Sequence, residues 1–361
     1  MKILQLTYTL SSGGAERFVV DLSNELSTSP DNAVTLVAIV DDQKLGASHY
    51  LPELNSRVNY VCLHCKRGLS ISSFWQVFRF ILSLKPDVVH AHCAALLLFL
   101  PSIIYRRCKY VHTLHNVAQK TIPFNWMRGL YRYFYRALIQ PVTISGVCDS
   151  SYALYYGLSN SVCIYNGRSP VRSSSAFECV KQEIEAYKKI KGTPVFIHVA
   201  RYAAQKNQQL LINVFEQLEV EGENFLLLIL GAGHERADYY NRVDSPRIRF
   251  LGVKNNVGDY LACSDYFVLT SLWEGLPISL LEAMSFGCIP ICTPAGGVID
   301  VLNSPEVGYV SGSFSEADFY SLVKVVLKDN PAKKREKAKE LYESQYTMQI
   351  CAQNYLRLYQ L

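Results

Sequence analysis

Tyr266-Phe267-Val268-Leu269-Thr270-Ser271-Leu272-Trp273-Glu274-Gly275-Leu276-Pro277-Ile278-Ser279-Leu280-Leu281-Glu282-Ala283-Met284 reads as three pieces. Tyr266 to Thr270 is short and apolar, which predicts a strand buried on both faces. Gly275 and Pro277 mark a turn. Pro277 suits the first position of a helix, where its missing N–H has no partner to lose. Leu280 to Met284 continues as helix. A strand, a short loop and a helix make one step of an α/β fold.

The same step repeats outward. Lys2 to Leu6, Ala33 to Val40, Val58 to Leu63, Asp87 to Ala91, Tyr110 to Leu114 and Pro141 to Ile144 read as buried strands. Glu16 to Leu26, Phe74 to Leu84 and Phe124 to Ile139 read as helices between them. The polar stretch Arg168-Ser169-Pro170-Val171-Arg172-Ser173-Ser174-Ser175 and the charged residues after it break the rhythm. It restarts with Pro194 to Val199, Phe225 to Leu230 and Ile248 to Leu251, and ends with Cys288 to Cys292 beyond the opening strand. Alternating strands and helices predict parallel sheets covered on both faces. The 361 residues are enough for two domains. The expectation is an α/β chain of two Rossmann-like domains facing a central cleft, residues 1–166 and 167–345. Ligands in such sheets bind beyond the carboxyl ends of the strands.

Charge is spread unevenly over the net +5. Residues 1–168 carry +7 and residues 169–361 carry −2. Between Asp87 and Asp149 there are seven basic residues and no acidic one, which points the N-terminal half at something anionic. No helix-turn-helix, zinc-finger or RNP pattern accompanies the charge, so no nucleic acid is expected as partner. Phe124 to Ile139 is rich in aromatics, and Arg128, Arg132 and Arg136 recur every fourth residue as one helical stripe. Such a helix suits the headgroup zone of an anionic membrane, or else packs on a core with its arginines in water. No run is long and apolar enough to cross a bilayer, and Met1 to Leu6 is too short for a secretory signal. Eleven irregularly spaced cysteines suggest reduced thiols, and Cys62-Leu63-His64-Cys65 has no second pair at zinc spacing.

Several loops that follow strands carry reactive chemistry. Glu282 falls in a very apolar helix, where a carboxylate needs a partner such as a pair of ligand hydroxyls, or a core arginine. Continuous helix would hold Glu274 and Glu282 about 12 Å apart, too far to share a metal but able to grip two ends of one ligand. Between them, Gly275, Leu276 and Pro277 lead into a helix start that suits a phosphate. Arg201 and Lys206, in His198-Val199-Ala200-Arg201-Tyr202-Ala203-Ala204-Gln205-Lys206-Asn207, follow another strand. They are ordinary surface charges or a cationic clamp for a diphosphate. Ser12-Gly13-Gly14-Ala15-Glu16-Arg17 opens the first helix with glycines that let a ligand approach the backbone, or simply makes a tight turn. It lacks the Lys-Ser/Thr of a nucleotide-hydrolysing loop. His115, in His112-Thr113-Leu114-His115-Asn116, ends a strand, as do His90 and His92. His115 is structural or ligand-facing, and His90 and His92 either support such a site from behind or lie on its acceptor side.

Glu274-Gly-Leu-Pro-Ile-Ser-Leu-Leu-Glu282, followed by Ala283-Met284, resembles the Glu-x7-Glu signature of family-4 retaining glycosyltransferases with GT-B fold. The other motifs, in the same order, extend the resemblance over nearly the whole chain. It implies a nucleotide-sugar donor, a UDP- or GDP-sugar, whose ribose binds Glu282 and whose sugar meets Glu274 near the reacting carbon. Arg201-x4-Lys206-Asn207 then matches the diphosphate clamp, Gly13 and Gly14 meet the donor phosphate or sugar, and His115 meets the sugar. Backbone around Val253 reads the base. Gly296-Gly297 resembles the family's glycine pair; the family often has Glu a few residues later, and here Asp300 is nearby, without a fixed match to that position. No metal or other cofactor is implied, and no Asp-x-Asp motif is present. The acceptor implied is a hydroxyl of a growing lipid-linked glycan, at the cytoplasmic face of a bacterial membrane, and the helix Tyr346 to Leu361 is implied to pack back on the N-terminal domain. Two rival readings are a nucleotide-sugar epimerase of similar fold and a non-catalytic nucleotide-sugar-binding protein.

Overall fold

The computed structural model describes the chain except residues 12, 41–48, 69, 106–107, 123, 171–172 and 330–331. Ser12 of the glycine loop, and Val171 and Arg172 of the polar stretch, therefore lie outside the described residues. The rest forms two compact units, Met1–Ser169 with Tyr346–Leu361, and Pro170–Gln345.

The first unit holds strands β1 (Lys2–Thr7), β2 (Ala33–Ala38), β3 (Asn59–Cys62), β4 (Val88–His92), β5 (Lys109–Leu114), β6 (Gln140–Thr143) and β7 (Val162–Cys163). They form one parallel sheet in the order β3-β2-β1-β4-β5-β6-β7. The second unit holds β8 (Val195–Val199), β9 (Leu226–Leu230), β10 (Ile248–Gly252), β11 (Tyr266–Leu269), β12 (Ile289–Cys292) and β13 (Tyr309–Val310), in the order β10-β9-β8-β11-β12-β13. Leaving aside the extra edge strand β7, the two orders are the same. Each is the doubly wound order, in which successive strands add to one side and then to the other. The reversal falls between β1 and β4 in the first sheet, and between β8 and β11 in the second. At such a reversal the following helices go to opposite faces of the sheet, and ligands bind beyond the strand ends there.

The central strands have the composition that two-sided burial requires. Every residue of β9 (Leu-Leu-Leu-Ile-Leu) and of β11 is buried, and β1 is buried from Ile3 to Thr7. In the first unit the core is built by Leu4, Val37, Ile81, Val89, Phe99 and the tyrosines Tyr131, Tyr135, Tyr152 and Tyr156. In the second, Phe196, Phe215, Phe225 and Ile229 lead a separate core. The edge strands β7 and β13, of two residues each, were not expected. Their sequences are too short to carry a periodic signal.

Two elements differ from expectation near functional positions. Phe124 to Ile139 is not one helix: a single 3-10 turn, Asn125–Met127, precedes the helix Arg128–Ala137. Pro277 is the cap before the helix Ile278–Ser285, with extended backbone (ψ 124°), not its first residue. Glu274 therefore lies outside the helix, and the separation expected for continuous helix does not apply.

The C-terminal helix Met348–Gln360 packs against the first helix, Gly14–Leu26. Arg168 fixes the chain where it returns. Its N–H donates to the Tyr346 carbonyl (2.9 Å), and its carbonyl accepts from the N–H of Met348 (3.1 Å). Its guanidinium lies 2.7 Å from the Asp21 carboxylate, both side chains about 5% exposed. A buried charge of this kind stands only when paired, so removing either partner alone is costly. Among the described residues, no helix is long and apolar enough to cross a membrane.

Candidate functional site

In the second unit, the loops after β8 and β11 meet at the crevice between those strands. The Thr270 hydroxyl donates to the carbonyls of Lys206 (3.0 Å) and Asn207 (3.1 Å), and the N–H of Leu272 donates to the Gln205 carbonyl (2.8 Å). Asn207 takes a left-handed conformation, φ 47°, which closes the turn Ala204–Lys206 and starts the next helix. These bonds deliver Lys206 and Glu274 to one point. Lys206 Nζ donates to Glu274 Oε1 at 2.6 Å, and the Ser271 hydroxyl donates to the same oxygen at 2.6 Å. Gln205 Nε2 reaches Glu274 Oε2 at 3.4 Å while holding the Trp273 carbonyl at 2.7 Å. Glu274 is only 5% exposed. A carboxylate so enclosed needs charged and hydrogen-bonded partners together, and here it has both.

The glycine pair explains how Glu274 is held from behind. Gly296 has φ +54°, and a Cβ there would stand 1.9 Å from the Glu274 carbonyl oxygen. The next N–H, of Gly297, donates to the Gly275 carbonyl at 2.8 Å. Only glycine tolerates both the left-handed backbone and that approach. On the other side of the crevice, Gly231 after β9 meets the Ala200 carbonyl so closely that a Cβ would stand 2.0 Å from its oxygen.

The sequence pattern offers Arg201 and Lys206 together as one cationic clamp. In the structure the two cations have different surroundings. Lys206 is taken by Glu274, whereas the Arg201 side chain is exposed and makes no ion pair among the described residues. Glu282 is half-buried in the second turn of the helix Ile278–Ser285. Leu276 is buried, Gly275 and Pro277 are covered, and Val253 is exposed beyond β10. Ser271, Thr270 and Gln205 were not singled out from sequence. Gln205 lies inside the Arg201-x4-Lys206 spacer, so its neighbours carried a signal, but nothing in one sequence marks Ser271.

In the first unit, the loop after β1 gives Gly13, whose extended backbone caps the first helix, and Gly14, its exposed first residue. That helix start already carries the Glu16 carboxylate, which accepts from the Ser11 hydroxyl at 3.3 Å. His92 ends β4, and His115 follows β5. Their rings are joined, His92 Nδ1 to His115 Nε2, at 3.0 Å. Phe18 stands edge-on to His115, ring centroids 5.3 Å apart. Burial, reinforced by the charge His112 would carry, pushes the His115 pKa down to about 3, so the ring is neutral. His90 and His92 are fully buried and bonded within the fold, so they sit behind His115.

The arginine stripe is partly engaged. Arg132 Nε donates to the Tyr156 carbonyl at 2.7 Å, and Arg128 lies over the Tyr155 ring, 4.9 Å from its centroid. Tyr131 and Tyr135 bury the core face of the helix, whereas Phe124, Trp126, Leu130 and Tyr133 are exposed beside the arginines. Trp126 is 78% exposed. Among the described residues, no group of His, Cys, Asp and Glu could hold a metal ion.

Comparison with known proteins follows the same division of the chain. A family model described as Glycosyltransferase Family 4 matches residues 12–172, and one described as Glycosyl transferases group 1 matches residues 180–344. The chain is 24% identical over 246 residues to an uncharacterized glycosyltransferase of Methanocaldococcus jannaschii, covering 61% of this chain but only 58% of that protein's length. It is 26% identical over 317 residues to the capsular polysaccharide biosynthesis glycosyltransferase CapH of Staphylococcus aureus, covering 81% of each. The crystal structure of Anabaena HepE in complex with UDP and glucose superposes with a TM-score of 0.80 at 16% identity, covering 99% of both chains, a likeness of fold. With both halves matched and both sheets wound in the same order, the chain belongs to the family-4 glycosyltransferases of GT-B fold.

Proposed function

We propose that this protein is a retaining glycosyltransferase that moves a sugar from a UDP- or GDP-sugar to a hydroxyl of a growing lipid-linked glycan in cell-surface polysaccharide synthesis. The observation that carries this reading is the buried Lys206–Glu274 pair, locked by Ser271 at the switch point of the second sheet. In this reading the pair loosens when the donor arrives. Lys206 turns to the diphosphate, with Arg201 as its second cation, and Glu274 is left to accept hydroxyls of the sugar near the reacting carbon. Glu282 holds the ribose hydroxyls, and the N–H groups at the helix start past Gly275, Leu276 and Pro277 meet phosphate. The Val253 backbone borders the base. Gly13, Gly14 and His115 contact the phosphate or sugar.

Two cations brought to a departing diphosphate stabilise the charge that builds as the sugar bond breaks, and in this reading no metal is required. The leaving diphosphate takes part in accepting the acceptor's proton, and no side chain is needed as general base. The exposed aromatics beside Arg128 and Arg136 suit the headgroup region of an anionic membrane, where a lipid-linked acceptor would be met. CapH acts in capsular polysaccharide biosynthesis, and HepE was crystallised with UDP and glucose. Both are consistent with the class of donor and product.

The test uses a panel of nucleotide sugars, screened by thermal shift, followed by single-turnover transfer to membrane extract in excess EDTA. Glu274→Gln should lower the rate about 100- to 1,000-fold with nucleotide affinity little changed, whereas Glu282→Ala should lose nucleotide affinity. Epimer formation from the donor alone, or complete loss of transfer in EDTA, would overturn the reading.

A further inference from the structure

We propose that Gln5, His92 and Tyr359 form a hydrogen-bonded relay that fixes His115 as the tautomer with its proton on Nε2, so that Nδ1 presents a lone pair to a hydroxyl of the bound sugar. Only the last step rests on the transfer reading above. The tautomer belongs to the chain itself.

Gln5 sits in the middle of β1, is fully buried, and pairs in register with His90 on β4. Its Nε2 donates to the Tyr359 hydroxyl at 3.2 Å, which turns its Oε1 to His92 Nε2 at 2.7 Å. A carboxamide oxygen only accepts, so His92 carries its proton on Nε2. Burial holds His92 well below its ordinary pKa, and a neutral imidazole has only one proton. His92 Nδ1 is therefore a lone pair, and the atom facing it, 3.0 Å away, is His115 Nε2. His115 must donate there. Its second nitrogen, Nδ1, is left as an acceptor.

The direction is consistent along the rest of the relay. The Tyr359 hydroxyl accepts from Gln5, so its own proton goes to His90 Nδ1, at 2.6 Å. His90 Nε2 then donates to the Thr113 hydroxyl at 2.7 Å, and Thr113 donates to the Tyr355 hydroxyl at 2.8 Å. Rotating the Gln5 amide by half a turn would reverse every one of these bonds and make His115 Nδ1 a donor, so the tautomer of His115 reports the direction of the whole relay. Tyr355 and Tyr359 both lie on the C-terminal helix Met348–Gln360. The last turns of the chain thus act, through Gln5 and His92, on a side chain after β5. Gln5, His92 and Tyr359 are positioning residues and need not touch the substrate.

An acceptor at this point selects a sugar that brings a hydroxyl proton. A deoxy or fluoro group in its place leaves the imidazole lone pair unmet, which is the kind of mismatch that discriminates between substrates.

The relay is tested on the full chain with isotope-labelled histidine, whose ring-nitrogen spectra at neutral pH distinguish the tautomers, His115 being assigned by His115→Gln. The expected result is a proton on Nε2 of His115. In Gln5→Met the amide is gone, and His115 should become a mixture of tautomers, with kcat down about tenfold and the KM for the nucleotide sugar little changed. A proton on Nδ1 in the unsubstituted protein, or an unchanged His115 spectrum in Gln5→Met, overturns the proposal. Should Gln5→Met not fold, Tyr359→Phe removes the same anchor with the loss of one hydroxyl and is expected to mix the tautomers too. Tautomers that shift as expected in a chain that transfers no sugar would leave the relay standing and overturn only the transfer reading.

Discussion

At the ends of β8 and β11, the second sheet places a buried ion pair, Lys206 with Glu274. At the ends of β1 and β4, the first sheet, wound in the same order, places uncharged rings: His92, with His115 from the neighbouring β5. The same topology thus exposes the same kind of crevice and fills it with different groups. One crevice holds a buried ion pair that a charged ligand can take over. The other holds neutral rings that store hydrogen-bond direction, beside the Glu16 carboxylate at the helix start after β1. The strand order decides where a site forms, and the side chains at the strand ends decide what it can recognise.

The largest expected effect that separates the units is acid sensitivity. His90, His92 and His112 are fully buried in the first unit, and His198 and His234 are buried in the second. Burial lowers the pKa of each, with His112 pushed down to about 4 and His198 to about 3. Unfolded, each takes its proton near pH 6.5; folded, each stays neutral to a lower pH, and His90, His92, His112 and His198 to a much lower one. The stability tied to neutral histidine is therefore whole above 6.5 and is lost as pH falls from there. Each of those four rings should contribute up to about 2 kcal/mol of loss by pH 5, and His234 less. Amide exchange should report earlier acid opening in the first unit, where His115, pushed down to about 3, joins His90, His92 and His112 to make four such rings against two. Acid opening of the second unit first would contradict the contrast.

Gly296→Ala is the sharper probe of the charged crevice. It should cost about 1–3 kcal/mol through the forced left-handed backbone, measured by urea unfolding. It should also displace the Glu274 loop, so that transfer falls by more than stability alone explains. The smallest effect concerns the exposed helix of the first unit. Arg128→Glu with Arg136→Glu should weaken binding to anionic vesicles by about 1 kcal/mol per arginine, read by co-sedimentation, with no change on neutral vesicles. Equal binding to both would favour a helix that only packs on its core.

Much of the fold was legible because a parallel sheet buried on both faces needs continuous apolar strands. Leu226–Leu230 and Tyr266–Leu269 can be little else. The glycines and prolines after them announced the loops. The edge strands Val162–Cys163 and Tyr309–Val310 escaped notice because two residues have no period. At the candidate site, Glu274, Lys206 and His115 stood out as chemistry at strand ends. Their partners did not. Ser271 is one serine among many, and Gln5 is one polar residue in an apolar strand, a mark whose meaning depends on what lies across from it.

The sequence by itself determined the two α/β halves, the loops that carry reactive side chains and the excess of positive charge in the first half, because each follows from local pattern and composition. Only the tertiary structure decided that Lys206 closes on Glu274, that Arg201 stays exposed, and that Tyr359 reaches Gln5 across 354 positions of chain. Hydrogen-bond partners are chosen by distance in space. In a doubly wound fold, the strands adjacent at the switch point, and the last helix that covers them, are far apart in sequence.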